Sequence, residues 1–128
     1  MQERVKSRSS RSDLLSLWYS VTIDSVRSAT PDLSARQMAI LMTVYLDDET
    51  HTVRSLSEKL GVTKAVITRA LDSMSRMGLI SRAPDVRDKR SIILTRTSGG
   101  ILFLQKFADR IQTHFPEPVV TNGNAVYA

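Results

Sequence analysis

At 128 residues and 14.3 kDa, the chain has the length of one ordinary domain, enough to bury a single core. Hydrophobic residues make up 41% and charged ones 24%, which predicts a folded chain, and the absence of cysteine excludes disulfides, thiolate metal sites, cysteine nucleophiles and thiol redox sensing. A formal net charge of +5 makes a polyanionic partner worth testing.

In chain order, residues 1–11 are basic and serine-rich and predict a flexible arm. No apolar core or cleavage site of a secretory signal follows it. The longest apolar stretch, 38–46, falls well short of the ~20 residues a membrane span needs, so a cytoplasmic protein with no membrane partner is expected. From Ser12 or Asp13, Leu14, Leu17, Trp18, Val21 and Ser25 recur at helical spacing, and Thr30-Pro31-Asp32 ends that helix. Ser34 is placed to cap a second helix to about Leu46, with Met38, Leu41, Met42 and Tyr45 on one side. A polar connection, 47–51, leads to Thr52, the cap of a short helix over 53–60 that buries Val53, Leu56 and Leu60. Gly61 is placed to close it in the left-handed conformation. Thr63 caps a further helix over 64–77 with Ile67, Ala70, Leu71, Met74 and Met77 inward, and Gly78 terminates it. Residues 79–82 and 91–94 read as two short strands joined by a basic tip, 83–90. A last helix from Thr97 or Ser98 puts Ile101, Leu104, Phe107 or Ala108, Ile111 and Phe115 on one stripe, weakened at the start by Gly99 and Gly100. Residues 116–128 lack helical periodicity and predict a disordered tail.

Short helix, glycine turn, second helix and basic hairpin follow in the order of a winged helix-turn-helix, so the expected fold is mainly α with a small β-hairpin wing, spanning 12–115 with its flanking helices. The charge agrees with that shape. Residues 51–97 hold ten Lys/Arg against four acids, whereas 13–50 hold two against six. The inner stripe of the second helix turns Lys64, Ala65, Thr68, Arg69, Ser73 and Arg76 outward. A helix ~10–12 Å across matches the ~12 Å major groove.

Particular runs strengthen this reading: Leu33-Ser34-Ala35-Arg36-Gln37, the segment 56–63, Val66-Ile67-Thr68-Arg69-Ala70-Leu71, Met77-Gly78-Leu79-Ile80-Ser81-Arg82, Asp85-Val86-Arg87-Asp88-Lys89-Arg90, and the segment 94–99. Together, over roughly 33–100, they resemble the MarR family of bacterial transcriptional regulators, and Asp-x-Arg-Asp-x-Arg at 85–90 is the most specific part. The resemblance implies a homodimer on a pseudo-palindromic duplex, with recognition helices in successive major grooves and a wing arginine in each adjacent minor groove. Carried onto this chain, Thr63, Lys64, Ala65, Thr68 and Arg69 face the major groove. Arg87 is the minor-groove candidate, with Lys89 and Arg90 beside it, and Asp88 pairs with Arg90 to shape the wing. The family usually continues with longer C-terminal helices; here one helix reaches about Phe115. The resemblance therefore implies a dimer built mainly from residues near 13–28 and 98–115, with Leu14, Leu17, Trp18, Val21, Leu104, Phe107 and Ile111 as its contacts. A small-molecule effector between such helices and the DNA-binding part is a further implication.

Plainer readings compete. Arg87, Lys89 and Arg90 also suit an exposed tip whose charges discourage strand pairing. Arg69 could pair with Asp72, three residues on. Asp47, Asp48, Glu49 and His51 look like metal ligands but read better as a solvated loop, and His114 as a helix-end cation. Trp18, Tyr19, Phe103 and Phe107 read as core or interface. The arm suits a disordered tail better than a minor-groove arm. No Gly-x-Ser-x-Gly, His-Glu-x-x-His or phosphate loop is present, so neither catalysis nor a cofactor is expected. A protein-docking winged helix remains the rival class.

Overall fold

Serine and threonine caps set where the helices begin. In the computed structural model, which describes residues 10–115, 118–121 and 124–127, Ser10 rather than Ser12 starts α1 (Arg11–Arg27). Its hydroxyl accepts from Asp13 N and the Asp13 carboxylate accepts from Ser10 N, so a complete capping box moves the start upstream of the expected one. Of the arm expected over 1–11, residues 1–9 lie outside the described residues. Ser34 and Gln37 form the same box at α2 (Ala35–Leu46). Then comes β1 (His51–Thr52), with Thr52 capping α3 (Val53–Leu60) and Thr63 capping α4 (Lys64–Arg76). Gly61 takes φ 68°, the left-handed closure that glycine alone adopts without a steric cost. The order finishes with β2 (Ile80–Pro84), β3 (Ile92–Arg96), α5 (Ser98–His114), β4 (Pro118–Thr121) and β5 (Asn124–Tyr127).

The chain divides into two units, residues 30–106 and residues 1–29 with 107–128. In the first, Ile40, Leu41 and Val44 of α2, Leu56 of α3, and Ile67, Leu71 and Met74 of α4 gather with Leu79, Ile80, Leu94 and Phe103 in one core. An antiparallel sheet in the order β1-β3-β2 closes it, with Ile80 opposite Arg96, Pro84 opposite Ile92, and His51 opposite Leu94. This is a winged helix. The third strand corrects the expected polar connection: His51 is buried, and its Nε2 donates to the Asp47 carbonyl at 2.8 Å.

Tyr45 ties the junction together. Its hydroxyl accepts from Thr97 N at 2.7 Å and lies 3.0 Å from both the Leu79 and Thr97 carbonyls, of which its one proton serves one at a time. Thr97 Oγ1 donates to the Gly78 carbonyl, and Arg96 stands over the Tyr45 ring while donating to the Val44 carbonyl. Gly100 is buried here: a Cβ added to it would fall 1.9 Å from the Tyr45 hydroxyl and 2.4 Å from the Leu79 carbonyl. That contact turns the inner stripe of α5 to Gly100, Phe103 and Phe107, and leaves Ile101 and Phe115 of the expected stripe exposed.

In the second unit, Trp18 of α1 meets Phe107 of α5 edge to face, centroids 6.0 Å apart, and His114 Nε2 contacts the Asp24 carboxylate. Where a disordered tail is expected, β4 and β5 pair antiparallel, Pro118 opposite Tyr127 and Thr121 opposite Asn124. Residues 116, 117, 122, 123 and 128 of that expectation lie outside the described ones. No helix among the described residues is long and apolar enough to cross a membrane.

Candidate nucleic-acid interface

The outward side of α4 is a consequence of its inward side. Ile67, Ala70, Leu71 and Met74 are buried, a 3–4 residue repeat that fixes the helix in rotation. Thr63, Lys64, Ala65, Thr68, Arg69 and Arg76 are thereby all exposed. The turn before them is held by Gly61 N and Val62 N, which both donate to the Ser57 carbonyl, and by Ser57 Oγ, which donates to the Val62 carbonyl. Thr63 Oγ1 accepts from Val66 N at 3.2 Å, so its hydroxyl proton stays available as a donor. The first backbone N–H groups of the helix have no intrahelical acceptor and, with the helix dipole, favour an anion.

The wing tip is ordered by two aspartates. Asp85 Oδ1 accepts from Arg87 N at 2.9 Å, and Asp88 Oδ1 accepts from both Arg90 N and Arg90 Nε at 3.1 Å. Asp85 N donates to the Ser91 carbonyl and Ser91 N to that of Asp88, closing the tip. Asp88 and Arg90, the pair that the family resemblance implies, come together, and Asp85 of the same motif holds the tip beside them. Arg87, Lys89 and Arg90 are all exposed, and Val86, just before Arg87, is 92% exposed. The Arg90–Asp88 pair is too solvated to add much stability, about 0–1 kcal/mol, so what it fixes is local shape.

Asp72, the residue that could have captured Arg69, is taken instead by Arg82 of β2, Nη1 to Oδ1 at 2.7 Å. Arg69 makes no ion pair with any described residue. The partner of Asp72 lies ten residues away across a helix-to-strand turn, which no helical spacing signals. Of the acidic cluster, Asp48 pairs with Arg96 and Asp47 offers its carbonyl to His51; among the described residues no three His, Asp or Glu side chains gather as a metal would need.

The expected dimer contacts separate into two sets. Val21 and Phe107 are buried within the chain, Leu104 packs against the winged-helix core, and Leu17 and Ile111 are half-buried. Leu14 and Trp18 are exposed, joined by Tyr19, which the sequence places in core or interface, and by Leu15 and Val26, which are not among the expected contacts.

Residues 33–92 match the model of the MarR family, the segment from the turn before α2 to the start of β3. Over this segment, just under half of its length, the chain is similar to the MarR family. Two curated relatives agree, both from Bacillus subtilis (strain 168). The chain resembles an organic hydroperoxide resistance transcriptional regulator, 33% identical over 63 residues, 49% of this chain and 43% of that protein. It also resembles the HTH-type transcriptional repressor YetL, 36% identical over 77 residues, 59% of this chain and 46% of that one. The matched stretches thus span less than half the length of either relative. The likeness in fold extends further than the likeness in sequence: the structure of reduced AbfR bound to DNA superposes with a TM-score of 0.61 over 82% of this chain and 72% of that chain, at 21% identity.

Proposed function

We propose that this chain is a cytoplasmic transcriptional regulator, not an enzyme, that binds specific duplex DNA as a homodimer. The observation that carries the reading is the α4 face. A buried stripe holds Lys64, Thr68 and Arg69 outward as a rigid row, and an ordered hairpin presents Arg87 immediately after it. The names of the two Bacillus relatives and the DNA in the AbfR structure point the same way.

In this account α4 enters the major groove. Lys64 and the α4 N-terminus meet phosphate, Thr63 donates to it, and small Ala65 permits close approach. Thr68 and Arg69 reach base edges, where an arginine can grip guanine through O6 and N7. Arg87 enters the adjacent minor groove and senses its width, while Lys89 and Arg90 meet the flanking backbone, with Asp88 and Asp85 holding the tip's shape. Phosphate neutralisation supplies most of the affinity, so log K falls by about 0.9 per phosphate contact as log salt rises. A second copy covers the apolar side of α1 marked by Leu14, Leu15, Trp18 and Tyr19, a set that single surface residues do not form by chance. An effector that changes the dimer would act on this assembly.

Selection of bound duplexes from a random pool, with the mass of the complex measured at moderate salt, tests the reading. It predicts a pseudo-palindrome with half-sites ~10 bp apart and two chains per duplex. Binding of scrambled and selected duplexes with equal affinity contradicts it and favours a protein-docking winged helix.

A further inference from the structure

Asp72 is the one carboxylate on α4, and it stands within the cationic row, three residues after Arg69 and four before Arg76. Residues so spaced are neighbours on a helix surface, so Asp72 is within reach of both guanidinium groups. A bare carboxylate there would act twice against a polyanion: it would repel phosphate and draw Arg69 away from DNA. The structure shows neither arrangement. Arg82 reaches over from β2 and binds Asp72 at 2.7 Å, with both side chains still partly exposed, at 34% and 47%.

We propose that Arg82 is a positioning residue for recognition: by holding Asp72 from the wing strand it masks the carboxylate on the reading helix and keeps Arg69 free for DNA. The proposal rests on the DNA-binding reading above and assigns to the pair a role other than contact or scaffold. Three roles predict different patterns. A masking pair makes its two halves act with opposite sign, because losing Arg82 unmasks a charge that losing Asp72 removes. A simple strap between α4 and β2 makes both losses weaken binding alike. A direct phosphate contact by Arg82 makes its loss costly whether or not Asp72 is present.

The test is titration of the selected duplex with the whole chain and three variants, Arg82→Gln, Asp72→Asn and the double variant, over a series of salt concentrations, with a melting curve confirming that each is folded. Asp72→Asn keeps the size of the side chain and removes its charge. Arg82→Gln is expected to bind about two- to fivefold more weakly, the scale of an exposed ion pair, and to lose up to ~0.9 of salt slope as Arg69 is recaptured. Asp72→Asn is expected to bind as tightly as the parent or tighter. The double variant is expected to return to within about twofold of Asp72→Asn and to regain the slope. A double variant as weak as Arg82→Gln, or an Asp72→Asn variant weakened as much as Arg82→Gln, overturns the masking role while leaving the DNA reading intact. A parent chain that does not prefer the selected duplex overturns that reading, and this role with it.

Discussion

The two units of the chain use their apolar residues in opposite ways. In residues 30–106 the large apolar side chains of α3 and α4, with Ile40 and Leu41 of α2, turn inward: Ile40, Leu41, Leu56, Ile67, Leu71 and Met74 are fully buried, and the outer face of α4 is left to cations and small polar groups, with Val86 of the wing and Leu46 at the end of α2 the most exposed exceptions. In α1, of the other unit, Leu14, Leu15, Trp18, Tyr19 and Val26 are exposed, and Val21 is the one buried residue of the helix. The first pattern suits a part that folds alone and meets a polyanion. The second suits a part that completes its burial against another protein surface. One kind of residue thus lies in a core in one region and on the surface in the other, and exposure tells them apart.

The largest contrast should come from truncating one residue of each kind. Leu71→Ala empties a fully buried site and should cost about 2–5 kcal/mol in denaturant unfolding, with DNA binding lost as the fold is lost. Tyr19→Asp, at a side chain 68% exposed, should leave secondary structure intact by circular dichroism while weakening self-association by ~2 kcal/mol or more in sedimentation equilibrium. Equal effects of the two on unfolding would erase the distinction between the regions.

Within the first unit, the wing and the helix start should differ in kind. Arg87→Ala should cost about 1–3 kcal/mol of duplex affinity and flatten the preference for A·T pairs beside each half-site. Lys64→Ala should cost less, about 1 kcal/mol, uniformly across sequences, and lower the salt slope by ~0.9. Unchanged affinity in either titration removes that residue from the interface.

How much of this the bare sequence carried depends on how local each signal is. Ser34, Thr52 and Thr63 are each followed three residues later by the backbone N–H that their hydroxyls accept, and Gly61 closes the intervening helix, so the bounds of α2, α3 and α4 follow from neighbouring residues. The outward row on α4 followed from its inner stripe for the same reason. What escaped was held by distant partners. β1 is two residues long and exists through pairing with Ile93 and Leu94, some forty positions away. The stripe of α5 differs from the expected one because Gly100, by sequence a poor helix former, is where α5 presses on Tyr45. The pairing of β4 with β5 did have a local signal, the β-branched run Val119-Val120-Thr121, which the expectation of a tail does not use. Zero cysteine is informative in a different way. No redox chemistry of this sequence runs through a thiol of its own.

Hydroxyl-radical footprinting of the parent chain and Arg87→Ala on one selected duplex tests the central claim most directly. The parent should protect the minor groove at two sites flanking the paired half-sites, and the variant should lose that protection while contacts within the half-sites persist. Identical footprints, or protection confined to one side of an unpaired site, would contradict an assembly in which two copies each lay a helix and an arginine-tipped wing on the duplex.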